Sequence, residues 1–232
     1  MRYMGGGKFK IRKEVSAVLK MLRKPGQTYL EPFVGGAWVL QEMDGPRIAS
    51  DINTALITMY KALQLGWLPP NNVTEAEYMQ IKNGTRDPYD PLTAFAAFGC
   101  SFGGVWFGGY AREARISYAD TARRGLLKQL EFIRNVNFQY VGYDQYTPND
   151  YLIYCDPPYA NTSMYDGAGA FDSVKFWNKM REWSINNTVV ISEYKAPDDF
   201  ICIAEFKSRM GLRVASGEQE IRTEKLFMYG GK

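Results

Sequence analysis

An apolar pentapeptide that runs directly into two prolines is the feature that most constrains the fold of this chain. Residues 151–155, Tyr-Leu-Ile-Tyr-Cys, are typical of a buried strand, and Asp156-Pro157-Pro158-Tyr159 follows at once. Each proline fixes its own φ and lacks an N–H, so the strand is expected to end in a stiff corner. A carboxylate, carbonyl acceptors and an aromatic ring then lie close together, a set that suits a planar base carrying an amino group. The alternative is an ordinary strand-to-loop turn with a solvated Asp156.

Two earlier strands are also predicted to end in functional positions. The strand at 28–30 leads into Glu31-Pro32-Phe33-Val34-Gly35-Gly36, where paired glycines allow a ligand to approach the backbone closely. This segment lacks the G-x-G-x-x-G pattern, which disfavours a dinucleotide cradle and favours a cofactor with a carboxylate, an amine and a nucleoside. The strand at 47–50 ends at Asp51-Ile52-Asn53. Asp51 is predicted either to accept hydrogen bonds from a ribose or to cap the following helix.

The order of predicted elements indicates an α/β protein with a Rossmann-like sheet. Helical spacing at 11–24, 37–43 and 54–65 alternates with the first strands, which favours parallel strands with helices on both faces. The pattern breaks at 66–149, a segment rich in Pro, Gly and aromatic residues with helical pieces at 74–82, 91–98 and 118–134. It resumes with the strand before Asp156, a helix at 172–184 and strands at 188–192, 201–206 and 224–229. We therefore predict a catalytic domain formed by 1–65 and 150–232, with a smaller, mainly helical insertion at 66–149.

Composition excludes several kinds of chemistry. The chain has no histidine, which excludes Ser-His-Asp triads and most catalytic zinc sites, and we expect no metal. Its three cysteines are widely spaced and favour a reducing compartment over a disulfide framework. We find neither a signal peptide nor an apolar run of the ~20 residues that span a bilayer. The sequence thus predicts a cytoplasmic protein with no membrane partner and a monomeric state. The net charge of +3 argues only weakly for a polyanionic partner.

The motifs together resemble a known enzyme family. The order Gly-Gly-Lys, Glu-Pro-Phe-Val-Gly-Gly, Asp-Ile-Asn, Asp-Pro-Pro-Tyr is similar to that of the Dam-type DNA adenine methyltransferases, the D12 class or α-group. The segment 102–107, Phe-Gly-Gly-Val-Trp-Phe, is similar to the family's Phe-Asn-Gly segment. The resemblance implies a class I methyltransferase sheet, S-adenosylmethionine as cofactor and double-stranded DNA as partner. It also implies a bacterial or phage-encoded protein, either a stand-alone methylase or part of a restriction-modification system.

The resemblance also implies a role for each motif. Asp156, Pro157 and Tyr159 would hold the target adenine. Direct transfer of the methyl group to its exocyclic amine would follow from positioning and electrostatics, after the base has been flipped out of the duplex. The cofactor would contact the N-terminal loop and the first two strand ends. The residues implied for that role are Tyr3, Met4, Gly6, Gly7, Lys8, Glu31, Pro32, Phe33, Gly35, Asp51, Ile52 and Asp156.

The insertion at 66–149 would recognise the target DNA. Its arginines would contact phosphates and guanine edges, while aromatic rings would stack where the base leaves the duplex. Arg123 and Arg124 are expected on the exposed face of a helix as phosphate contacts, and Arg112 and Arg115 are expected to read base edges. The alternative for the aromatic residues is the core of the small domain. The candidate DNA-binding residues are Arg112, Arg115, Arg123, Arg124, Tyr110 and Trp106.

Other functions remain compatible with these motifs. The same corner could serve an RNA adenine or the amine of a DNA cytosine, although an aspartate in its first position favours adenine within this family. A catalytically silent DNA-binding module is a further alternative, against which the intact Asp156 and Tyr159 argue.

Overall fold

The structure is a computed structural model that describes Tyr3 and residues 8–112, 116–158, 171–213 and 219–231; of residues 208–213 and 219–222 it describes the backbone only. Strands in this part of the chain form one mixed sheet with the order β3-β2-β1-β4-β5-β7-β6. The strands are β1 Tyr29–Glu31, β2 Arg47–Ser50, β3 Asn137–Gln139, β4 Leu152–Cys155, β5 Thr188–Glu193, β6 Phe200–Arg213 and β7 Gln219–Tyr229. The first five are parallel to one another, whereas β7 pairs antiparallel with β5 and β6.

Helices cover both faces of the sheet. The α-helices are α1 Arg12–Leu22, α2 Thr54–Gln64, α3 Glu75–Asn83, α4 Pro91–Ala94, α5 Tyr118–Ile133 and α6 Ser173–Ser184. Consecutive strand residues point to opposite faces, so Tyr154 joins a core with α1, α2 and α5, while Ile153 joins a second core with α6. This two-sided burial and the strand order confirm the predicted Rossmann-like fold. None of the helices in the described part of the chain is long and apolar enough to cross a membrane.

The predicted insertion shares its core with the sheet. Tyr78 and Phe98 from this region belong to the same buried cluster as Tyr29 and Tyr154 of the sheet. Gln129 of α5 donates hydrogen bonds from its amide to the carbonyl oxygens of Gly36 and Ala37, at 2.9 and 3.2 Å. The division into a catalytic domain and an insertion stays a prediction, but β3 of the sheet lies inside the range 66–149 assigned to the insertion.

The helix predicted at 37–43 is wrong. A short 3₁₀ helix at Leu40–Glu42 is found there, and Ala37 has a φ of 54°. A left-handed residue is incompatible with a right-handed helix that begins at that position. The chain therefore leaves β1 through an irregular turn, with Gly35 also left-handed at a φ of 42°. The other predicted helices and strands are found within a few residues of their expected bounds, with two exceptions: β6 and β7 are longer than the predicted strands 201–206 and 224–229, and the helix predicted at 91–98 is an α-helix only over Pro91–Ala94 and continues as a π-helix over Phe95–Gly99.

Candidate active site

The candidate residues gather at one edge of the sheet. Glu31 ends β1, Asp51 follows β2 and Asp156 follows β4. β1 and β4 are parallel neighbours from distant parts of the chain, and the strand order reverses between them. Open α/β sheets bind ligands outside the carboxyl ends of the strands at such a switch point. The strand-end acids thus lie where this fold forms its ligand crevice.

A buried lysine links the first and last parts of the chain at this edge. Lys8 lies in a short 3₁₀ turn before α1, and its side chain is 5% exposed. Its Nζ is 2.9 Å from Oδ1 of Asp156 and 3.0 Å from Oε1 of Glu224. The same Glu224 oxygen accepts a hydrogen bond of 2.8 Å from the hydroxyl of Ser192. One ammonium is thus shared by two carboxylates that belong to different strands.

Burial and charge act in opposite directions on this cluster. Burial raises the pKa of Asp156, while the neighbouring Lys8 ammonium lowers it and the charge of Glu224 raises it. Burial acts to lower the pKa of Lys8, but the charges and hydrogen bonds of Asp156 and Glu224 outweigh it, so the net pKa is raised. Burial also raises the pKa of Glu193, at the end of β5, to about 7. The cluster carries more carboxylates than ammonium groups, which favours a ligand that bears positive charge.

Glu224 is a site residue that the sequence analysis missed. It lies on β7, two residues before the buried Leu226, and therefore points to the same face. The alternation of Glu224 with Leu226 marks it as an acid at an inward-facing strand position, and this is the signal that could have identified it. Its proximity to Lys8 arises only from the tertiary fold.

Asp51 is held by backbone groups around the first turn. Its Oδ2 accepts from the Gly35 N–H at 3.1 Å and its Oδ1 from the Asn53 N–H at 3.0 Å. The N-cap of α2 is Asn53, whose side chain accepts from the N–H of Leu56, so the alternative role of Asp51 as a helix cap is wrong. Burial raises the pKa of Asp51 to about 6, and the backbone N–H groups partly oppose that rise. Each oxygen can still accept a further hydrogen bond, as a ribose would require.

Aromatic rings pack directly against the backbone of the turn after β1, at Gly35 and Gly36. A Cβ added to Gly35 would lie 2.7 Å from the ring of Tyr3, and one added to Gly36 would lie 2.6 Å from Nε1 of Trp38. Only glycine permits these approaches. Tyr3 thereby packs beside the Gly35 turn and against Phe98, with ring centroids 4.7 Å apart. The buried Nε1 of Trp38 has no hydrogen-bond partner among the residues that the structure describes, which leaves a donor at this turn. Met4, Gly6 and Gly7 lie outside the described residues.

Phe33 and Ile52 provide apolar surface near Asp51. The Phe33 ring is half-buried and packs against Tyr143 and Phe171, with centroids 5.2 and 6.2 Å apart. Ile52 is 45% exposed, although it follows a buried strand directly. Half-exposed apolar side chains near a buried carboxylate suit the flat face of a nucleoside. The combination of Asp51, this apolar surface and the acid-rich Lys8 cluster fits S-adenosylmethionine, which carries a nucleoside and positive charge.

Glu31 and the proline corner flank this region. Glu31 is buried and accepts a 2.7 Å hydrogen bond from the hydroxyl of Tyr29. Burial raises the pKa of Glu31 well above its ordinary value, although the Tyr29 hydrogen bond acts against that rise. Pro32 is buried beside it, and Pro157 is buried after Asp156. Tyr159 lies outside the described residues.

The described DNA-binding candidates in the insertion make contacts within the protein. Arg112 forms an ion pair with Glu75, and Tyr110 donates its hydroxyl to the carbonyl of Val73 at 2.8 Å. Both line a surface cleft of about 420 Å³ in the insertion. Trp106 packs against Phe98, with centroids 5.0 Å apart, so this ring contributes to the core.

Two arginines on α5 differ from each other. The exposed Arg124 pairs with Asp120 one turn earlier, at 3.0 Å. The half-buried Arg123 donates from Nε to the carbonyl of Pro69 at 2.9 Å and braces the insertion. The sequence analysis expected both on an exposed helix face, which is wrong for Arg123. Arg115 lies outside the described residues.

Comparisons with known proteins agree with the motif order. Residues 4–87 match the family described as D12 class N6 adenine-specific DNA methyltransferase. No curated protein sequence matches the chain significantly. Among solved structures, SMU.472, assigned as a methyltransferase and solved in complex with SAH, is similar at 12% identity and a TM-score of 0.36. The match covers 95% of this chain and 53% of that one, so this chain spans about half the length of SMU.472.

The likeness to SMU.472 is too distant to support an argument, and the fold assignment rests on the strand order of the sheet itself. The family match covers the Gly-Gly-Lys motif, the turn after β1 and the acid after β2, which are three of the motifs on which the resemblance was based. The resemblance is thereby confirmed over residues 4–87, which match the family model of the D12 class N6 adenine-specific DNA methyltransferases.

Proposed function

We propose that this chain is a site-specific DNA methyltransferase that moves a methyl group from S-adenosylmethionine to the exocyclic amine of an adenine. The observation that carries the proposal is the 2.9 Å ion pair between Lys8 and Asp156 at the switch point of the sheet. Asp156 directly precedes the two prolines of the corner. The D12 family match over 4–87 supports adenine in DNA as the substrate.

The cofactor supplies an electrophilic methyl group on a sulfonium. Asp51 would accept hydrogen bonds from its ribose, and Phe33 and Ile52 would pack on its nucleoside. The negative charge around Lys8 would favour its cationic groups. Tyr3 and the Trp38 Nε1 donor at the Gly35 turn are available to its amino-acid end.

The target amine is a poor nucleophile because its lone pair is delocalised into the ring. Acceptors at Asp156 and at the Pro157 carbonyl would bind its hydrogens and favour a more tetrahedral nitrogen. The lone pair would then face the methyl group that the cofactor supplies, and the proton that the nitrogen releases after transfer would pass to the Asp156 carboxylate or to water. No covalent enzyme intermediate is required, and positioning accounts for the rate gain.

The substrate adenine would have to leave the duplex to reach Asp156. Extrusion of a base is the general solution for enzymes that modify a base atom inside a duplex. The insertion is proposed as the DNA-recognition region, with Tyr110 and Arg112 beside its cleft. Arg124 is exposed and its partner Asp120 lies on the same helix, so the arginine can exchange that carboxylate for a phosphate.

The test is transfer of labelled methyl groups from S-adenosylmethionine to duplex DNA by wild type and by Asp156→Ala. The variant should lose transfer while cofactor affinity stays within about tenfold, because Asp156 acts on the amine. Lys8 keeps Glu224 as a partner 3.0 Å away, so the variant buries no unpaired ammonium. Asp198→Ala, at an exposed position in a turn, is the matched control.

Nucleoside analysis of the product separates the alternatives. N6-methyladenine in DNA supports the proposal. Methylcytosine as the product would identify DNA cytosine as the substrate instead, and methylation of an RNA of the same sequence with no DNA product would identify RNA adenine. DNA binding without transfer by wild type would favour the catalytically silent module. Near-normal turnover by Asp156→Ala would remove the mechanism.

A further inference from the structure

Glu224 is an acid at a buried position of β7, where an acid is costly unless its charge is paired. Its side chain is 8% exposed, and its Oε1 contacts both the Lys8 ammonium and the Ser192 hydroxyl. Ser192 is fully buried on β5, and its Cα partner across the sheet is Leu226. Two adjacent strands therefore fix the carboxylate of Glu224, and it fixes the lysine that contacts the candidate catalytic acid.

We propose that Glu224 is a positioning residue that acts through Lys8 to hold Asp156 in place while keeping it a strong hydrogen-bond acceptor. This inference rests on the proposed function. A lysine paired with Asp156 alone would direct its full charge at that carboxylate and compete with the incoming amine. With a second carboxylate 3.0 Å from the same Nζ, the ammonium is shared, and Asp156 keeps more of its negative charge for the substrate.

Other charged and titratable groups also act on Lys8 and Asp156. Glu31 of β1 and Glu193 of β5 interact electrostatically with Asp156, and Glu193 also with Lys8. Tyr154 and Cys155 of β4 interact with Asp156 as well. Besides Asp156, Glu224 acts directly on Lys8 through its charge and its hydrogen bond, with its Oε1 3.0 Å from the Lys8 Nζ. Removing its charge is therefore the sharpest perturbation of the lysine.

The direction of the pH effect follows from the cluster. The charge of Glu224 raises the pKa of Asp156 and also that of Lys8. Glu224→Gln should consequently lower both pKa values, and both limbs of the pH–rate profile should move to lower pH. A residue that only stabilises the fold would leave the positions of these limbs unchanged.

The experiment compares wild type, Glu224→Gln and Glu224→Asp in methyl transfer and in calorimetric binding of S-adenosylmethionine. Glu205→Gln is the matched control, because Glu205 forms a 3.0 Å ion pair with Lys225 on the same hairpin but is 53% exposed. We expect kcat of Glu224→Gln to fall at least about tenfold, the scale of a lost charged hydrogen bond, with cofactor Kd within about threefold. Glu224→Asp should recover part of kcat, and Glu205→Gln should match wild type.

The outcomes separate this inference from the proposed function. An active wild type with an equally active Glu224→Gln, or with an unshifted pH profile, overturns the role of Glu224 alone. A parallel loss of kcat, cofactor affinity and thermal stability would also overturn it in favour of a structural role. A wild type that binds the cofactor but transfers no methyl group overturns the proposed function and this inference with it.

Discussion

Replacing Asp51 by asparagine should weaken cofactor binding and at the same time remove a stability cost at neutral pH. The Asp51 carboxylate is buried between the N–H groups of Gly35 and Asn53. An asparagine keeps one acceptor oxygen and places an NH₂ group against the other backbone N–H. The proposed ribose contact loses its charged acceptor, which should cost about 1.5–3 kcal/mol, or about 10–150-fold in Kd.

The stability of the free protein gives an independent readout. Burial raises the pKa of Asp51 from an ordinary value of 3.8 to about 6. Because the folded pKa lies above the unfolded one, the folded state binds more protons between about pH 4 and pH 6, and wild-type stability falls as pH rises through that window. The loss approaches about 3 kcal/mol above pH 6. Asp51→Asn has no titrating group at this position, so its stability does not vary with pH on this account.

Calorimetric titration and urea unfolding at several pH values between 4 and 8 test both effects. The difference in unfolding free energy between the two proteins should change by about 2–2.5 kcal/mol from pH 4 to pH 7, in favour of Asp51→Asn at pH 7. The NH₂ group of the asparagine faces a backbone N–H and destabilises the variant by the same amount at every pH, so it does not affect the change of this difference with pH. Wild-type cofactor affinity should decline below about pH 6, while that of Asp51→Asn should not.

Asp198→Asn is the control, since that aspartate is exposed. A cofactor Kd for Asp51→Asn within about threefold of wild type at pH 7.5 would refute the ribose assignment. A stability difference that does not vary with pH would refute the raised pKa.

Two further perturbations test the turn and the proposed DNA surface. Gly35→Ala should lower the unfolding free energy by about 1–3 kcal/mol, because its φ is 42° and the added methyl would meet the Tyr3 ring. Urea unfolding should show a smaller loss for Gly26→Ala, where φ is 74° but no atom lies within 4 Å, and equal losses would contradict the role given to Tyr3. In salt titrations of duplex binding, Arg124→Ala should flatten the slope of log K against log salt by about 0.9. Arg123→Ala should instead reduce stability and keep the slope, since its guanidinium holds the Pro69 carbonyl, and an unchanged slope for Arg124→Ala would exclude it as a phosphate contact.

The sequence was sufficient to predict the strand-end acids because local pattern determines them. Asp51 and Asp156 each follow a short strand bounded by turn residues, and parallel strands must bring their carboxyl ends to one edge. Strand β3 escaped detection because Asn137–Gln139 is short, mostly polar and buries only Phe138. Its place in the sheet is determined by pairing with β2, which local pattern does not encode.

Other features depended on conformation or on distant contacts. The helix predicted at 37–43 followed from the local sequence pattern, which does not reveal that Ala37 is left-handed. The difference between Arg123 and Arg124 depends on where the loop with Pro69 passes α5. The position of Glu224 at the site depends on the register of β7 against β5, in which Lys225 pairs with Glu193.

The reversed direction of β7 explains how a residue close to the end of the chain reaches this edge of the sheet. Parallel strands present their carboxyl ends to the crevice, whereas an antiparallel strand presents its beginning. The pairing of β7 with β5 starts at Lys225, opposite the last residue of β5, so Glu224 lies level with the strand-end acids. Lys8 approaches the same level from the start of α1, and its ammonium joins Asp156 to Glu224. A parallel strand in the place of β7 would bring its last residues to this edge instead. Glu224 would then lie away from Lys8, and another residue would have to provide the second carboxylate.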